Sequence, residues 1–537
     1  MKKLKLYISS LVLAVAATGC GDDYLSTTPE STTTEENLFS SPKTAQYAVN
    51  GLSSMWYSIK YLDDQMLFGL PAVFLWNNEF TGNSLQFMDY TGFKNTANGN
   101  YNNADGNKNV RFPWYLFYKV IANCNSILAK IPADSSAGEQ QDWDYIKAQT
   151  LTFRAYCYHM LTNYYCRRWS DKNGQSRGLV LRLEPTDEPM APCSLAEVYT
   201  QVYEDLDNAI ALFGTCDKKR PEGSRWMADA NVAHAIYSRA ALYRQDWQTA
   251  INHAKDARKG YPLMTDEEYK KGFNKANKEW IWEVYEDETR SAGFASFFGY
   301  ASPANSTSFL RSRVPQISKE LVNSIDPADS RLEIYCIPTS DELSESAAAK
   351  LTDSGKKTSG AFYKRIKNDY VASGRVNNEV PIAFYMATKF IKSGGTADGC
   401  FPIFRSAEMY YNEIEALIKL GNEPAAQQLL EEVVAPYNAA YTCTKTGDDL
   451  WKEYVAYRHF DLWGEGHNWP DNKRWGGALI RKSWADGGSW NDSFVCGEND
   501  YGPTDKYNWT IVIPKFETQY NDKIATFEAD DWKPGDR

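Results

Sequence analysis

The sequence predicts a mainly α protein in which a tetratricopeptide-like helical-repeat scaffold carries a loop-rich, irregular half that binds a ligand. Apolar and small residues recur at helical spacing in paired segments near residues 44–131, 143–213, 229–260 and 405–435. This helical period is lost in three long stretches, residues 63–112, 261–400 and 483–537. Because loops of that length in a compact domain are usually functional, we predict that these variable insertions form the ligand-binding half.

Two of the four pairs have the pattern of a helix, a tight turn and a second helix. The turns fall at Gln245-Asp246 and at Gly421-Asn422, and small residues on either side let the two helices approach closely. The other two pairs are assigned from their apolar stripes, which run over residues 44–61 with 114–131 and over residues 143–165 with 195–213.

The N-terminus has the features of a bacterial lipoprotein signal. Three lysines precede an apolar run over residues 6–17, and small residues then lead to Cys20. Twelve apolar residues are too few to cross a bilayer as a helix, so the segment indicates export rather than a retained membrane span. We therefore predict a signal peptide (1–19), lipidation of Cys20, a flexible acidic tether (20–36) and a single body (37–537).

Composition and charge narrow the possible functions. The formal net charge of -11 makes a nucleic-acid partner improbable, because phosphate binding needs a basic surface. The ten cysteines contain no C-x-x-C pair and the five histidines show no metal-ligand spacing, so we predict buried free thiols and no metal or cofactor. The Asn-rich residues 102–106 leave calcium open, although they fail the EF-hand register.

Short motifs recur from end to end of the chain, and the most specific is the run Asp-Leu-Trp-Gly-Glu-Gly-His that begins at Asp461. These motifs are residues 22–25, 39–51, 154–156, 178–181, 405–416, 461–467, 469–476 and 513–517. They resemble the SusD/RagB family, surface lipoproteins that capture nutrients for outer-membrane transporters in Bacteroidetes. The resemblance implies a location on the outer-membrane cell surface, attachment through the lipid anchor only, and a SusC-like TonB-dependent transporter that faces the helical half.

A carboxylate pair near two histidines raises the question of catalysis. Asp461 and Glu465 lie four residues apart between His459 and His467, whereas a glycosidase needs two carboxyl groups that flank a bond. Because Glu465 lies between two glycines in a basic segment, we predict that it bonds a guanidinium and holds a turn. At spacing i, i+3, Arg405 and Glu408 are predicted to pair within one helix.

The insertions interleave aromatic rings with amides, a pattern typical of sugar binding, because a ring covers the C–H face of a sugar while amides bond its hydroxyls. By contrast, Trp463, Trp469 and Trp475 lie in the motif and are predicted to be core. We predict that an oligosaccharide is bound without cleavage; a peptide receptor and a glycoside hydrolase remain the alternatives. The predicted ligand-binding residues are Trp76, Asn78, Phe80, Tyr90, Tyr101, Phe298, Tyr300, Phe309 and Arg311.

Overall fold

A computed structural model describes most of the chain, and the described residues are 35–60, 66–86, 96–99, 105–290, 293–347, 359–394, 397–490, 494–497 and 509–526. Cys20 and most of the predicted tether lie outside these ranges.

Helices dominate the described residues. In chain order they are α1 (Glu35–Leu38), α2 (Pro42–Ser58), α3 (Gly69–Glu79), α4 (Lys108–Lys130), α5 (Ala137–Tyr165), α6 (Trp169–Lys172), α7 (Leu195–Thr215), α8 (Ala230–Tyr243), α9 (Trp247–Ala257), α10 (Asp266–Tyr269), α11 (Phe297–Ala301), α12 (Lys319–Asn323), α13 (Ser340–Ala347), α14 (Gly360–Ile366), α15 (Ser406–Lys419), α16 (Glu423–Val434), α17 (Gly447–Asp461), α18 (Asn468–Trp475) and α19 (Lys515–Tyr520).

Four short strands form two antiparallel pairs. Strand β1 (Ser84–Gln86) pairs with β3 (Pro315–Ile317), and β2 (Trp280–Val284) pairs with β4 (Phe401–Arg405). The mainly α fold class predicted from the sequence is confirmed.

The long helices form one continuous array. Helix α4 packs on α5, α5 on α7, α7 on α8 and α8 on α9; α9 then packs on α15, which also contacts α16 and α17. Helices occupy all four predicted pairs, and α2 packs on both α4 and α5. Because α9 and α15 are neighbours in space, the long segment between them is an insertion into the helical array.

Small side chains explain the close packing of α8 on α9. Ala240 and Ala241 on α8 and Ala250 and Ala254 on α9 are fully buried, so the two backbones can approach closely. The hydroxyl of Ser238 crosses this interface and donates to the carbonyl of Ala250 at 3.0 Å. The tight turn between the helices is formed by Gln245, which has a φ of 62°.

The first insertion differs from the irregular loop expected from the sequence. Residues 69–79 form helix α3, and all eleven residues of this helix are buried. A helix that is buried on every side needs no polar face, so it lacks the amphipathic period that reveals surface helices in a sequence. The second insertion likewise contains short helices and the strands β2 and β3.

The described cysteines form no disulfide with one another. They are Cys124, Cys157, Cys166, Cys193, Cys216, Cys336, Cys400, Cys443 and Cys496, and each is buried except the half-buried Cys193. The predicted burial of the thiols is confirmed at these positions except Cys193, but the expected helical positions are found for only Cys124 and Cys157.

Candidate ligand-binding site

The motif at residues 461–467 lies in a buried network of charges rather than at a surface. The guanidinium of Arg405 binds three carboxylates, those of Glu279 at 2.8 Å, Asp461 at 2.6 Å and Glu465 at 2.9 Å. Lys389 lies 2.5 Å from Glu465 and also donates to the carbonyls of Asp461 and Trp463. Glu465 therefore bonds a guanidinium and holds a turn, as predicted.

A second buried network connects the same motif to the helical array. Arg458 lies 2.6 Å from Asp471, and Arg474 bonds both Asp471 and Glu415. Arg239 on α8 donates to both carboxylate oxygens of Glu408 at 2.6 and 2.7 Å.

The predicted pair between Arg405 and Glu408 is wrong. Arg405 ends strand β4 and points to Glu279 and Asp461, whereas Glu408 faces Arg239 from the first turn of α15. Spacing along one helix suggested the pair, but Arg405 precedes the helix, and its partners are Glu279, just before strand β2, and residues 461–465.

The protonation states of the buried side chains in this region fit a structural role rather than a role in proton transfer. Burial alone would raise the pKa of Asp461, but the guanidinium groups of Arg405 and Arg331 hold that pKa below its ordinary value. Burial lowers the pKa of His459 to about 4, so this imidazole is neutral near pH 7. Asp461 and Glu465 share the Arg405 guanidinium instead of flanking an open cleft, so this pair is not arranged for glycoside hydrolysis.

The amides of α3 that were predicted to face a sugar bind the protein instead. Asn78 donates to the carbonyl of Gly464 at 2.8 Å and accepts from the backbone N–H of Gly466 at 3.2 Å. These glycines have φ values of 82° and 83°, and a Cβ on either would collide with the ring of Phe390 or Phe74. A turn in this conformation has no strand or helix to satisfy its backbone, so the buried amides do so.

Two of the other predicted ligand residues are also packed inside. Phe298 is fully buried against Phe390, and Tyr300 stacks on Phe68 with ring centroids 5.8 Å apart. The prediction that Phe298 and Tyr300 project to a ligand surface is therefore wrong, because neighbouring rings cover them.

Four more of the predicted ligand residues are Phe309, Arg311, Tyr90 and Tyr101. Phe309 is half-buried with its ring edge against Tyr300, and the exposed Arg311 pairs with Glu379 at 2.9 Å. Tyr90 and Tyr101 lie outside the described residues, as do most of the Asn-rich residues 102–106.

The structure does bring Trp76 and Phe80 together at one cavity. The cavity has about 420 Å³ of empty space, part of it open to solvent. Its wall consists of Trp76, Phe80, Thr96, Asn109, Val110, Tyr164, Trp469 and Ile511. We call it the aromatic cavity; Thr96 and Asn109 are half-buried at its edge, and it carries no charged side chain among the residues that the structure describes.

Three hydrogen-bond donors in this wall have no partner among the residues that the structure describes. They are the indole N–H groups of Trp76 and Trp469 and the hydroxyl of Thr96, all of them buried atoms. An indole N–H can only donate, so two of these groups require an acceptor that the described residues do not supply. Leaving a buried donor unsatisfied costs about 1–3 kcal/mol, so the wall is suited to a ligand that brings oxygen acceptors.

Sequence reasoning found only part of this wall. Trp469 was predicted to be core because it lies in the motif, and it is indeed 5% exposed, but it also lines the cavity. Thr96, Tyr164 and Ile511 come from distant parts of the chain, and nothing in the sequence indicates that they meet. Within the described residues, no group of three His, Cys, Asp or Glu side chains is placed to hold a metal ion.

Two family models match the chain. Residues 65–241 match a model described as starch-binding and associating with the outer membrane, and residues 252–533 match the model of the SusD family. A search of curated proteins gives no match.

Several solved structures share the fold along nearly their whole length. A SusD-like carbohydrate binding protein from Bacteroides vulgatus has a TM-score of 0.74 and 21% identity, over 91% of this chain and 98% of that one. A SusD superfamily protein from Bacteroides thetaiotaomicron has a TM-score of 0.67 and 20% identity, over 90% and 99%.

A third similar structure was solved with a ligand. Surface glycan-binding protein A from Bacteroides thetaiotaomicron, in complex with laminarihexaose, has a TM-score of 0.61 and 15% identity, over 89% of this chain and 97% of that one. At these identities the structural matches establish a shared fold.

Proposed function

The chain belongs to the SusD family, and from this premise we propose that it is a cell-surface lipoprotein that binds an oligosaccharide or polysaccharide without cleaving it and delivers it to a TonB-dependent outer-membrane transporter. The observation that carries the ligand assignment is the aromatic cavity with its three unpartnered donors. A relative of the same fold in complex with laminarihexaose supports a glycan as the ligand class.

The chemistry of the aromatic cavity suits a neutral sugar. Its rings offer flat apolar faces to the C–H groups of a pyranose, and the N–H groups of Trp76 and Trp469 can donate to hydroxyl or ring oxygens. A wall without charge favours an uncharged ligand over the charged ends of a peptide.

A role in binding rather than catalysis is supported by the positions of the carboxylates. No carboxylate is part of the described wall of the cavity, whereas hydrolysis of a glycosidic bond uses a pair of them. Asp461 and Glu465, the pair suggested by the sequence, are bound to Arg405 and Lys389.

For attachment to the cell surface, we propose lipidation of Cys20, with residues 1–19 removed and residues 20–36 as the tether to a single body over residues 37–537. In the part of the chain that the structure describes, no helix has both the length and the apolar content to span a bilayer.

The binding experiment uses soluble protein that begins after Cys20, titrated calorimetrically with panels of glycans and peptides. We expect saturable binding to a neutral glycan and no new product in the mixture after long incubation. Release of shorter sugars, abolished by Glu465→Gln, would contradict the non-catalytic assignment. Binding confined to the peptide panel would favour a peptide receptor instead.

For delivery, we propose that the helical half contacts the transporter. A wide groove of about 760 Å³ opens between α4, α5 and α7, with the buried Arg154–Asp205 pair at 2.7 Å in its wall. Exposed polar residues such as Asn208 line it, whereas Asp207, the preceding residue of α7, does not.

These two adjacent residues give a matched test of docking. Asn208→Trp fills the groove and is expected to reduce co-purification with the transporter, while Asp207→Trp leaves it intact. Equal recovery of the transporter with both variants would contradict this docking face but not glycan binding.

A further inference from the structure

A second cavity, of different chemistry, lies where the end of α5, the start of α7 and helix α18 meet beside α6. It has about 400 Å³ of empty space and is open on one side. Four cationic side chains line it, those of Arg167, Arg168, Lys473 and Arg474, and no carboxylate does so within the described residues. We call it the cationic cavity.

Lys473 is the central feature of this cavity. Its side chain is part of the wall, and the residue is only 7% exposed. The ammonium donates to the carbonyls of Asn163 and Cys166 in the last turn of α5, both at 2.7 Å. These bonds use two of its three N–H groups, and no carboxylate of the described residues pairs with it, so the third N–H and the positive charge are available to the cavity.

The carboxylates near the other cations lie outside the cavity wall. Asp171 pairs with Arg168 at 2.5 Å, and Arg474 is held by Glu415 and Asp471. None of these three acids lines the cavity, so they fix the guanidinium groups in place without occupying the space in front of them. The result is a pre-arranged cationic wall, which is the arrangement that oxyanions prefer.

The buried amide oxygen of Asn163 places a second requirement on any ligand of this cavity. The Oδ1 of Asn163 has no hydrogen-bond partner, and this residue, which also lines the cavity, is 6% exposed. A ligand that satisfies both Lys473 and Asn163 must carry an anionic oxygen and also a hydroxyl donor.

We propose that the cationic cavity binds a small oxyanion that also carries a hydroxyl group, such as a sugar acid or monohydrogen or dihydrogen phosphate, with Lys473 as its principal ligand. This site is separate from the aromatic cavity and does not rest on the function proposed above. Ser170 lines the cavity and is exposed to solvent.

Binding to this site depends on pH. Burial lowers the pKa of Lys473 to about 7, a shift that the thiol of Cys166 and the carboxylate of Asp171 oppose and Arg168 reinforces. Only the ammonium form attracts an anion, so affinity falls as pH rises from 6 to 8. Across that range Tyr199 on α7 and Tyr243 on α8 stay neutral, because burial raises the pKa of both hydroxyls, and Arg167, Arg168 and Arg474 stay charged.

The test is calorimetric titration of the full-length protein at pH 6 with inorganic phosphate, glucuronate, sulfate and glucose at matched ionic strength. We expect phosphate and glucuronate to bind with a Kd on the order of 1 mM or tighter, sulfate more weakly, and glucose not at this site. Absence of phosphate and glucuronate binding would overturn the proposal. Equal affinity at pH 6 and pH 8 would overturn the role of Lys473.

Two variants at the edge of the cavity keep the test independent of folding. Ser170→Glu places a negative charge at the opening and is expected to weaken phosphate binding about tenfold, whereas Ser170→Gln, of equal size, leaves it within about twofold. Lys473→Met is expected to abolish the binding if the variant folds. Equal affinities of Ser170→Glu and Ser170→Gln would show that the anion binds elsewhere and would contradict the proposal.

Discussion

The motif at residues 461–467 and the aromatic cavity are both buried, yet they differ in whether their buried polar groups have hydrogen-bond partners. Around Arg405 every cationic side chain meets carboxylates or carbonyls at hydrogen-bond distance. In the aromatic cavity the N–H groups of Trp76 and Trp469 meet no acceptor. The satisfied groups of the motif hold the fold together, whereas the two unsatisfied donors of the cavity wall can donate to a ligand.

This difference has an energetic consequence. Removing one member of a buried ion pair leaves the other uncompensated, which is strongly destabilising. Removing a donor that has no partner costs the folded state no hydrogen bond. The two regions should therefore respond to substitution in opposite ways, the motif through stability and the cavity through ligand affinity.

The largest effect is expected at Arg405. Arg405→Met leaves Glu279, Asp461 and Glu465 without their shared guanidinium, and we expect the free energy of unfolding to fall by about 3–5 kcal/mol in urea titrations. Lys452→Met is the control, because its pair with Asp449 is exposed and its loss should leave stability unchanged. If Arg405→Met were as stable as the wild type, the structural role assigned to the motif would be contradicted.

A pH titration tests the same region through His459. Its pKa is about 4 in the folded protein and about 6.5 when unfolded, so the unfolded state binds a proton that the folded state excludes between these values. Stability therefore falls as pH drops from about 6.5 to 4, and this residue contributes about 3 kcal/mol of that loss. His459→Gln should flatten the dependence of unfolding free energy on pH. An unchanged slope would mean that this imidazole binds its proton equally well in the folded and unfolded states, which would contradict the lowered pKa.

A matched pair of threonines compares the two regions at smaller magnitude. The hydroxyl of Thr81 donates to the carbonyl of Asn78 and accepts from the N–H of Asn83, whereas the hydroxyl of Thr96 has no partner. Replacement by Val should therefore cost about 1–3 kcal/mol of unfolding free energy at position 81 and close to none at position 96. A large loss for Thr96→Val would show that its hydroxyl already has a structural partner.

The helical half could be predicted from the sequence because its helices are amphipathic. Residues such as Ala250 and Ala254 recur on one face, and the turn at Gln245 separates two such stripes. Helix α3 could not be recognised this way, since burial on every side removes the period on which the prediction depends.

The candidate site was predictable only in part, because a sequence does not show which side of a ring is covered. Asn78 has the residue type of a sugar-binding amide, yet a glycine turn almost 390 residues away uses its hydrogen bonds. Trp76 and Phe80, predicted to bind a ligand, both line the cavity, but their neighbours Tyr164 and Trp469 become visible only when the chain folds.

The most direct test of the contrast compares two buried tryptophans. The side chain of Trp469 lines the aromatic cavity and its N–H has no acceptor among the described residues, whereas the N–H of Trp282 donates to the carbonyl of Trp226 at 3.0 Å. The measurement is calorimetric titration of Trp469→Phe and Trp282→Phe with the glycan that the wild type binds most tightly. We predict that the Kd rises about fivefold or more for Trp469→Phe and stays unchanged for folded Trp282→Phe. An unchanged Kd for Trp469→Phe would contradict the assignment of the aromatic cavity as the glycan site.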